Sequence, residues 1–199
     1  MVNGPRQSGK TTLVRSYLAT TNGSYRTLDR PDTRDAARDD PHAFVAYGQT
    51  PRAIDEDQLG GDNLVRAIKV AVDTDPRPGQ FILSGSTRFL AIPTLSESLA
   101  GRLAFVELWP LNMVERTSGS PDFLSVLFDE PARLLTSSPW TRQQYIDCMT
   151  DGGYPEVLGI TSSIARRAWY DGYLSTVINR DIRDFATVTH GDALPRNAA

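Results

Sequence analysis

The sequence is short of cysteine, of net positive charge and of long apolar runs. Its single cysteine, Cys148, cannot form a disulfide within the chain, which favours a reducing compartment such as the cytoplasm. No apolar stretch approaches the roughly 18 residues that a membrane-spanning helix needs. The N-terminus also lacks the charged-then-apolar pattern of a secretory signal. The sequence therefore predicts a cytoplasmic protein without a membrane partner.

The lack of net positive charge bears on nucleic-acid binding. The 199 residues carry a net charge of −3, so the overall electrostatic signature of a dedicated nucleic-acid binder is missing, although a locally basic face stays open. The apolar share of 40% and the charged share of 23% are those of globular proteins, which excludes wholesale disorder. A chain of this length suits one domain, or one domain with a helical appendage.

Lysine is also scarce, and one of the only two lysines, Lys10 and Lys69, lies in a phosphate-binding motif. Residues 4–11 (GPRQSGKT) match the Walker A pattern G-x-x-x-x-G-K-[ST], for which the alternative is a glycine-containing turn before an ordinary helix. The glycines let successive backbone N–H groups point at phosphate oxygens, and the following helix presents its positive N-terminus to them. Lys10 is predicted to reach the β- and γ-phosphates of ATP, and Thr11 to ligate Mg²⁺. The predicted nucleotide-binding residues are Gly4, Pro5, Arg6, Gln7, Ser8, Gly9, Lys10, Thr11 and Thr12.

The order of predicted elements indicates an α/β fold. Strands are expected at 25–29, 52–56, 81–83 and 103–108, and helices at 11–19, 32–38, 41–47, 63–74 (capped by Asn63) and 95–100. Strands that alternate with helices are typical of βαβ units and a mainly parallel sheet. Beyond the sheet, helices are expected at 123–135, 141–150 and 164–186, with a break at 151–155. The sequence predicts a P-loop NTPase core at 1–116, a linker at 117–122 and a helical region at 123–199.

An acidic pair follows the second predicted strand. Asp55 is predicted to hold Mg²⁺ through a bound water, and Glu56 to orient or deprotonate the attacking water, as in a Walker B motif. Asp-Glu pairs also arise by chance on solvated loops, so the prediction depends on the P-loop upstream. Asp57 makes this motif unusually acidic and is the next candidate for the catalytic base.

Two further residues are candidates for contacts with the γ-phosphate. Ser84 ends the strand Phe81-Ile82-Leu83 and is predicted to act as a sensor, with an ordinary strand-to-helix turn as the alternative. Arg102 is predicted to supply positive charge to a γ-phosphate, in this chain or a neighbouring subunit. Its alternative is a plain surface arginine.

Taken together, these motifs resemble a family of prokaryotic AAA-like P-loop ATPases that carry a poorly understood C-terminal domain. The matching segments are 4–13, 25–41 (YRTLDRPDTRDAARDDP), 54–58 (IDEDQ), 64–73, 81–87 (FILSGST), 95–111, 152–158 (GGYPEVL) and 179–186 (NRDIRDFA). The resemblance implies an ATP- and Mg²⁺-dependent ATPase core followed by an α-helical lid region. It also implies the role of Arg102, and it leaves open a homo-oligomer and a protein partner of unknown identity.

Three departures from the family pattern lead us to expect a chain shortened at both ends. Only Met1, Val2 and Asn3 precede the P-loop, which predicts that the first strand is missing. Pro51-Arg52-Ala53 is less apolar than the strand that the family has before its acidic pair. The sequence also stops about where a winged-helix segment would begin in the family.

Three functions stay open at this point. The first is an ATPase that couples hydrolysis to a conformational change, and the second is a nucleotide-binding or interaction module that does not hydrolyse. The third is a DNA-associated regulator, suggested by Arg166, Arg167, Arg180 and Arg183. Acidic residues interleave with those arginines, and this favours a solvated charged helix over a DNA-binding one.

Overall fold

The computed structural model describes residues 1–85, 99–117, 123–132 and 140–178. The chain packs into two units, Met1–Leu108 and Trp109–Ala199. Within the described ranges, no helix has both the length and the apolar character needed to cross a membrane. The predicted boundaries at 116 and 122 stay predictions, and residues 118–122 of the predicted linker lie outside the described part of the chain.

A parallel sheet forms the centre of the first unit. Its strands in the described residues are β1 (Val2–Asn3), β2 (Ser24–Thr27), β3 (Arg52–Asp55), β4 (Phe81–Ser84) and β5 (Val106–Glu107). They lie in the order β2-β3-β4-β1-β5, and every neighbouring pair is parallel. The predicted α/β fold with a mainly parallel sheet flanked by helices is confirmed. In this order the carboxyl ends of β1, β3 and β4 meet at one edge of the sheet.

The helices of the first unit follow the strands as the sequence predicts. Those in the described residues are α1 (Lys10–Thr21), α2 (Pro31–Asp39), α3 (Pro41–Ala46) and α4 (Gly61–Thr74), with a 3₁₀ turn at Asp57–Gly60. Proline stands at the start of α2 and α3, where its missing N–H costs nothing, and the Asp40 side chain caps α3 by accepting from the Ala43 N–H. Helix α4 begins at Gly61, directly after the 3₁₀ turn, so Asn63 is inside the helix and the prediction that it is the cap is wrong.

Apolar side chains from both faces of the sheet form the core. One cluster packs α3 and α4 against β3 and β4, and the other packs α1 against the sheet. The first contains Leu28, Ala37, Phe44, Val45, Ile54, Leu64, Val65, Ala67, Ile68, Leu83 and Leu99, and the second Val2, Val14, Leu18 and Ala53. Burial on both faces fixes the strand ends that carry the polar side chains of the site.

The prediction that residues 1–3 are too few for a first strand is wrong. Val2 pairs with Ser84 on one side and with Val106 on the other. The Val106 N–H donates to the Met1 carbonyl at 2.9 Å, and the Leu108 N–H donates to the Asn3 carbonyl at 2.7 Å. Two residues are enough because neighbouring strands bind β1 from both sides.

Two other predicted elements differ from the structure in extent. The strand expected at 103–108 is only Val106–Glu107, and both of its side chains are exposed. Of the helix expected at 95–100, only Leu99 and Ala100 are described, and they form a turn.

The described part of the second unit is helical. Its helices are α5 (Met113–Arg116), α6 (Phe123–Asp129), α7 (Arg142–Asp151), α8 (Pro155–Leu158) and α9 (Ser163–Thr176). Helices α5 and α7 each begin with a reciprocal capping box, formed by Asn112 with Glu115 and by Thr141 with Gln144. The ends expected at 133–135 and 179–186 lie outside the described residues.

The glycine pair between α7 and α8 allows close backbone contacts. Gly152 has φ 71°, and a Cβ on Gly153 would lie 2.1 Å from the Leu111 carbonyl oxygen. The Leu111 N–H donates to the Gly153 carbonyl at 2.8 Å. The residue before the pair is also bound, because the Tyr170 hydroxyl donates to the Asp151 carbonyl at 2.7 Å. The GGYP segment therefore serves the packing of the second unit.

We expect Gly153→Ala to lower the free energy of unfolding by about 1–3 kcal/mol, because the new methyl group overlaps rigid backbone. Gly172→Ala is the matched control. A Cβ at Gly172 meets nothing within 4 Å, and alanine inside α9 should stabilise by about 0.5–1 kcal/mol. Urea unfolding followed by circular dichroism measures both. Equal stability of the two variants would contradict the packing role of Gly153.

Candidate nucleotide-binding site

The P-loop (residues 4–11) connects β1 to α1 at the carboxyl edge of the sheet. Gly4, Gln7 and Gly9 have φ values of 150°, 61° and 98°, a sequence of turns that lets backbone N–H groups converge. A Cβ on Gly4 would lie 2.1 Å from the Leu108 carbonyl oxygen, so only glycine fits there. Helix α1 begins without a side-chain cap. Its N-terminus and the loop form an arrangement that suits an anion.

Two polar side chains are buried within the P-loop. Lys10 is 7% exposed, and its ammonium donates to the carbonyls of Gly4 at 2.9 Å and Pro5 at 2.7 Å. Ser8 is 4% exposed, and its hydroxyl has no hydrogen-bond partner in the described part of the chain. Since a buried hydroxyl without a partner is costly, Ser8 is a fitting contact for a ligand oxygen.

Asp55, at the end of β3, accepts four hydrogen bonds. Its Oδ2 accepts from the Thr11 hydroxyl at 2.9 Å and from the Tyr25 hydroxyl at 2.6 Å. Its Oδ1 accepts from the Ser84 hydroxyl at 2.6 Å and from the Glu56 N–H at 3.2 Å. The carboxylate is 5% exposed. The first turn of α1 and the strands β2, β3 and β4 thus fix the position of one carboxylate.

Tyr25 links this carboxylate to the surface of α1. The Arg15 guanidinium lies 4.3 Å from the centre of the Tyr25 ring. Burial raises the pKa of Tyr25, and its hydrogen bond to Asp55 raises that pKa further, while Arg15 opposes both effects. The Tyr25 hydroxyl therefore stays protonated and donates to Asp55 at neutral pH.

Glu56 directly follows Asp55 in a strained backbone conformation. Its φ of 56° lies in the left-handed region, where any residue with a Cβ has a conformational energy higher by roughly 1 kcal/mol. The Gln58 side-chain amide donates to the Glu56 carboxylate. Strained backbone conformations of this kind cluster at active sites and ligand-binding sites.

Asp57 is a buried carboxyl group beside the site. It is 4% exposed, and neither of its oxygens has a hydrogen-bond partner from another residue in the described ranges. Burial raises the pKa of Asp57 to about 7, and the neighbouring carboxylates Glu56 and Asp55 add to the rise. A Cβ on Gly85 would lie 2.7 Å from Asp57 Oδ1, so the chain after β4 passes close to this group.

The structure brings most of the predicted site residues together at one edge of the sheet. Thr11, Asp55 and Ser84 are in direct contact, with Glu56 adjacent. Ser84 is fully buried and its hydroxyl is engaged by Asp55, and its predicted sensor role stays a prediction. Arg102 instead forms an ion pair of 2.6 Å with Asp73 in the last turn of α4, and its predicted contact with a γ-phosphate stays a prediction.

Sequence reasoning missed Tyr25 and Arg15. Tyr25 lies in a predicted strand, but the sequence alone does not show that β2 lies directly beside β3. Arg15 stands one helical turn after Thr11, on the same face of α1, and this spacing was the available signal.

The parallel sheet, the loop between β1 and α1, and the polar strand ends define a P-loop NTPase-like α/β core. The AAA domain model matches residues 1–117, which is more than half of the chain. The chain belongs to the AAA domain family, and its first unit is an AAA-like nucleotide-binding core. A second model, a domain of unknown function (DUF8612), matches residues 142–197.

Two mycobacterial proteins are similar to this chain over most of its length. They are the uncharacterized proteins Rv2008c of Mycobacterium tuberculosis and Mb2031c of Mycobacterium bovis. Each is 32% identical over 183 residues, which cover 92% of this chain and 35% of the relative. The chain therefore spans about a third of the length of these relatives.

Proposed function

We propose that the protein binds ATP in the P-loop and, with Mg²⁺, hydrolyses its β–γ phosphoanhydride bond. The observation that carries this proposal is the 2.9 Å hydrogen bond between Thr11 and Asp55. It joins the last residue of the P-loop motif to the acid at the end of β3. A hydroxyl and a carboxylate at this point are the oxygen groups that suit Mg²⁺ in phosphate sites.

The phosphates of ATP would bind to the P-loop backbone and to the N-terminus of α1. Lys10, which now donates to two carbonyls of its own loop, would turn its ammonium to the β- and γ-phosphates. Ser8 has a buried hydroxyl available for a phosphate oxygen. Gly4 and Gly9, both at positive φ, already give the loop its turned backbone, so the change expected on binding is chiefly that of the Lys10 side chain.

Thr11 and Asp55 are the residues that would hold Mg²⁺, directly and through a bound water. The metal supplies charge neutralisation on the β- and γ-phosphate oxygens. Glu56 would take a proton from the attacking water as the water oxygen bonds to the γ-phosphorus. The bond from the γ-phosphorus to the bridging oxygen breaks, and ADP and inorganic phosphate leave. We propose that the change in bound phosphates alters the conformation of the strand ends that contact Asp55.

Glu56→Gln tests this function. We expect the variant to bind Mg²⁺-ATP within about twofold of the parent and to release phosphate about a hundredfold more slowly, because only the base is lost. Phosphate release measured at saturating ATP, with active sites titrated by tight nucleotide binding, gives the turnover number. Glu156→Gln, an exposed glutamate on α8, is the matched control and should match the parent.

Two outcomes would contradict the proposal. Tight ATP binding without Mg²⁺-dependent phosphate release in the parent would leave a nucleotide-binding module that does not hydrolyse. Equal turnover in Glu56→Gln and the parent would place the catalytic base elsewhere.

A further inference from the structure

The hydrogen bonds to Asp55 are distributed unequally between exposed and buried groups. Oδ1 is bound by Ser84, which is fully buried, and by the Glu56 backbone N–H. Oδ2 is bound by Thr11, whose side chain is exposed in the first turn of α1, and by the half-buried Tyr25. Oδ2 is therefore the oxygen on the P-loop side of the carboxylate.

Each carboxylate oxygen has two lone pairs, and all four of these positions on Asp55 are taken. A water bound to Mg²⁺ can donate to Asp55 only where one present donor gives up its position. Thr11 is the donor placed to do so, because its side chain is exposed and its hydroxyl can rotate toward another acceptor. Ser84 is fully buried and Glu56 donates from its backbone, and both bind Oδ1. Tyr25 is then the side chain that holds Oδ2 when Thr11 changes partners.

We infer that Tyr25 is a positioning residue for Asp55, holding Oδ2 toward the P-loop so that it can accept from a Mg²⁺-bound water. Tyr25 acts through Asp55 and touches neither nucleotide nor metal. Arg15 stabilises the tyrosine by lying over its ring, 4.3 Å from the ring centre. This inference rests on the proposed function, because it concerns the metal step of that function.

The experiment is a Mg²⁺ titration of ATP binding and turnover in Tyr25→Phe. The variant keeps the ring and its contact with Arg15 and loses only the hydroxyl. We expect the Mg²⁺ concentration for half-maximal turnover to rise about tenfold, which is what one hydrogen bond to a charged group is typically worth. ATP affinity measured in EDTA should stay within twofold of the parent, because the phosphate contacts of the P-loop are untouched.

Tyr17→Phe is the matched control, since Tyr17 is an exposed tyrosine on α1, 53% exposed. It should need the same Mg²⁺ concentration as the parent. If Tyr25→Phe does not fold, Arg15→Gln gives the second measurement. Losing the guanidinium over the ring should raise the Mg²⁺ requirement in the same direction, by a smaller factor.

The outcomes separate this inference from the proposed function. A parent that binds Mg²⁺-ATP, with a Tyr25→Phe variant that folds and has an unchanged Mg²⁺ requirement, overturns the inference and leaves the function standing. A uniform loss of ATP affinity in EDTA as well as in Mg²⁺ also overturns it, since this indicates general damage to the P-loop. A parent that binds no ATP under either condition overturns the proposed function and the inference with it.

Discussion

Lys10→Ala is expected to weaken ATP binding by about a hundredfold or more. The ammonium would make charge-assisted hydrogen bonds to phosphate oxygens, each worth about 1.5–3 kcal/mol, and a hundredfold change in affinity corresponds to about 2.7 kcal/mol. Lys10 is 7% exposed, so its charge acts where water screens it poorly. Titration with a fluorescent ATP analogue in the presence of Mg²⁺ measures the loss directly.

Lys69→Ala is the control that the composition offers, because Lys69 is the other of the two lysines and lies on α4. Lys69 is half-buried and lies outside the P-loop. Its replacement removes the same charge from the chain and should leave ATP affinity within about twofold, since salt screens charges that are not in contact with the ligand. Unchanged affinity in Lys10→Ala would remove the assignment of residues 4–11 as the phosphate site.

Lys10→Ala should also have a modest effect on stability. The ammonium is the donor to the Gly4 and Pro5 carbonyls in the nucleotide-free protein, at 2.9 and 2.7 Å. Loss of these bonds should lower the free energy of unfolding by about 1–2 kcal/mol. A melting temperature recorded beside each titration separates this loss from the loss of phosphate contacts. Added ATP should stabilise the parent and Lys69→Ala but not Lys10→Ala.

The sequence predicts the parallel sheet well because strand and helix signals are local. The compact apolar run at Phe81 and the helical period of α4 each appear within a few residues of chain. The same local view failed at β1. Val2 and Asn3 form a strand only because β4 and β5 bind them from both sides, and neither neighbour is within 75 residues of them in the sequence.

In the candidate site, too, the residues that belong to a local sequence pattern could be predicted, and the contacts that depend on strand order could not. The spacing from Gly4 to Thr11 is a local pattern with a known physical purpose, so the P-loop could be predicted from the sequence. The contact of Tyr25 with Asp55 depends on the strand order, in which β2 pairs with β3, and no local pattern specifies that order. The partners of Ser84 and Arg102 were unpredictable for the same reason, because hydrogen bonds and ion pairs follow from tertiary contacts.

Asp57 leads to the second large prediction, a pH-dependent destabilisation of the folded protein. Burial raises the pKa of Asp57 from 3.8 to about 7. The folded state therefore binds this proton more tightly than the unfolded state does. Below about pH 4 the carboxyl is protonated in both states, so its burial does not change the free energy of unfolding with pH. As the pH rises from about 4 to about 7, the unfolded state ionises first, and stability is lost over that window.

Asp57→Asn should remove this loss, because the amide has nearly the same shape and does not ionise. A rise of about three pKa units corresponds to about 4 kcal/mol, so the variant should gain up to that amount over the parent at pH 8, and little at pH 4 and below. Urea unfolding at a series of pH values without Mg²⁺ gives the difference curve. Every other carboxyl group is shared by the two proteins, and the difference therefore isolates Asp57.

Asp39→Asn, which changes an exposed aspartate at the end of α2, is the control for a general effect of removing negative charge. Its stability should follow that of the parent across the whole pH range. The decisive feature is the shape of the Asp57→Asn difference curve, which should climb between about pH 4 and 7 and then level off. A difference that is the same at pH 5 and pH 8 would mean that Asp57 is not a buried, unpaired carboxyl group. A partner group would then have to stabilise the ionised Asp57. The backbone strain at Glu56 would be the only destabilising feature of this acidic segment, with no added cost from a buried charge.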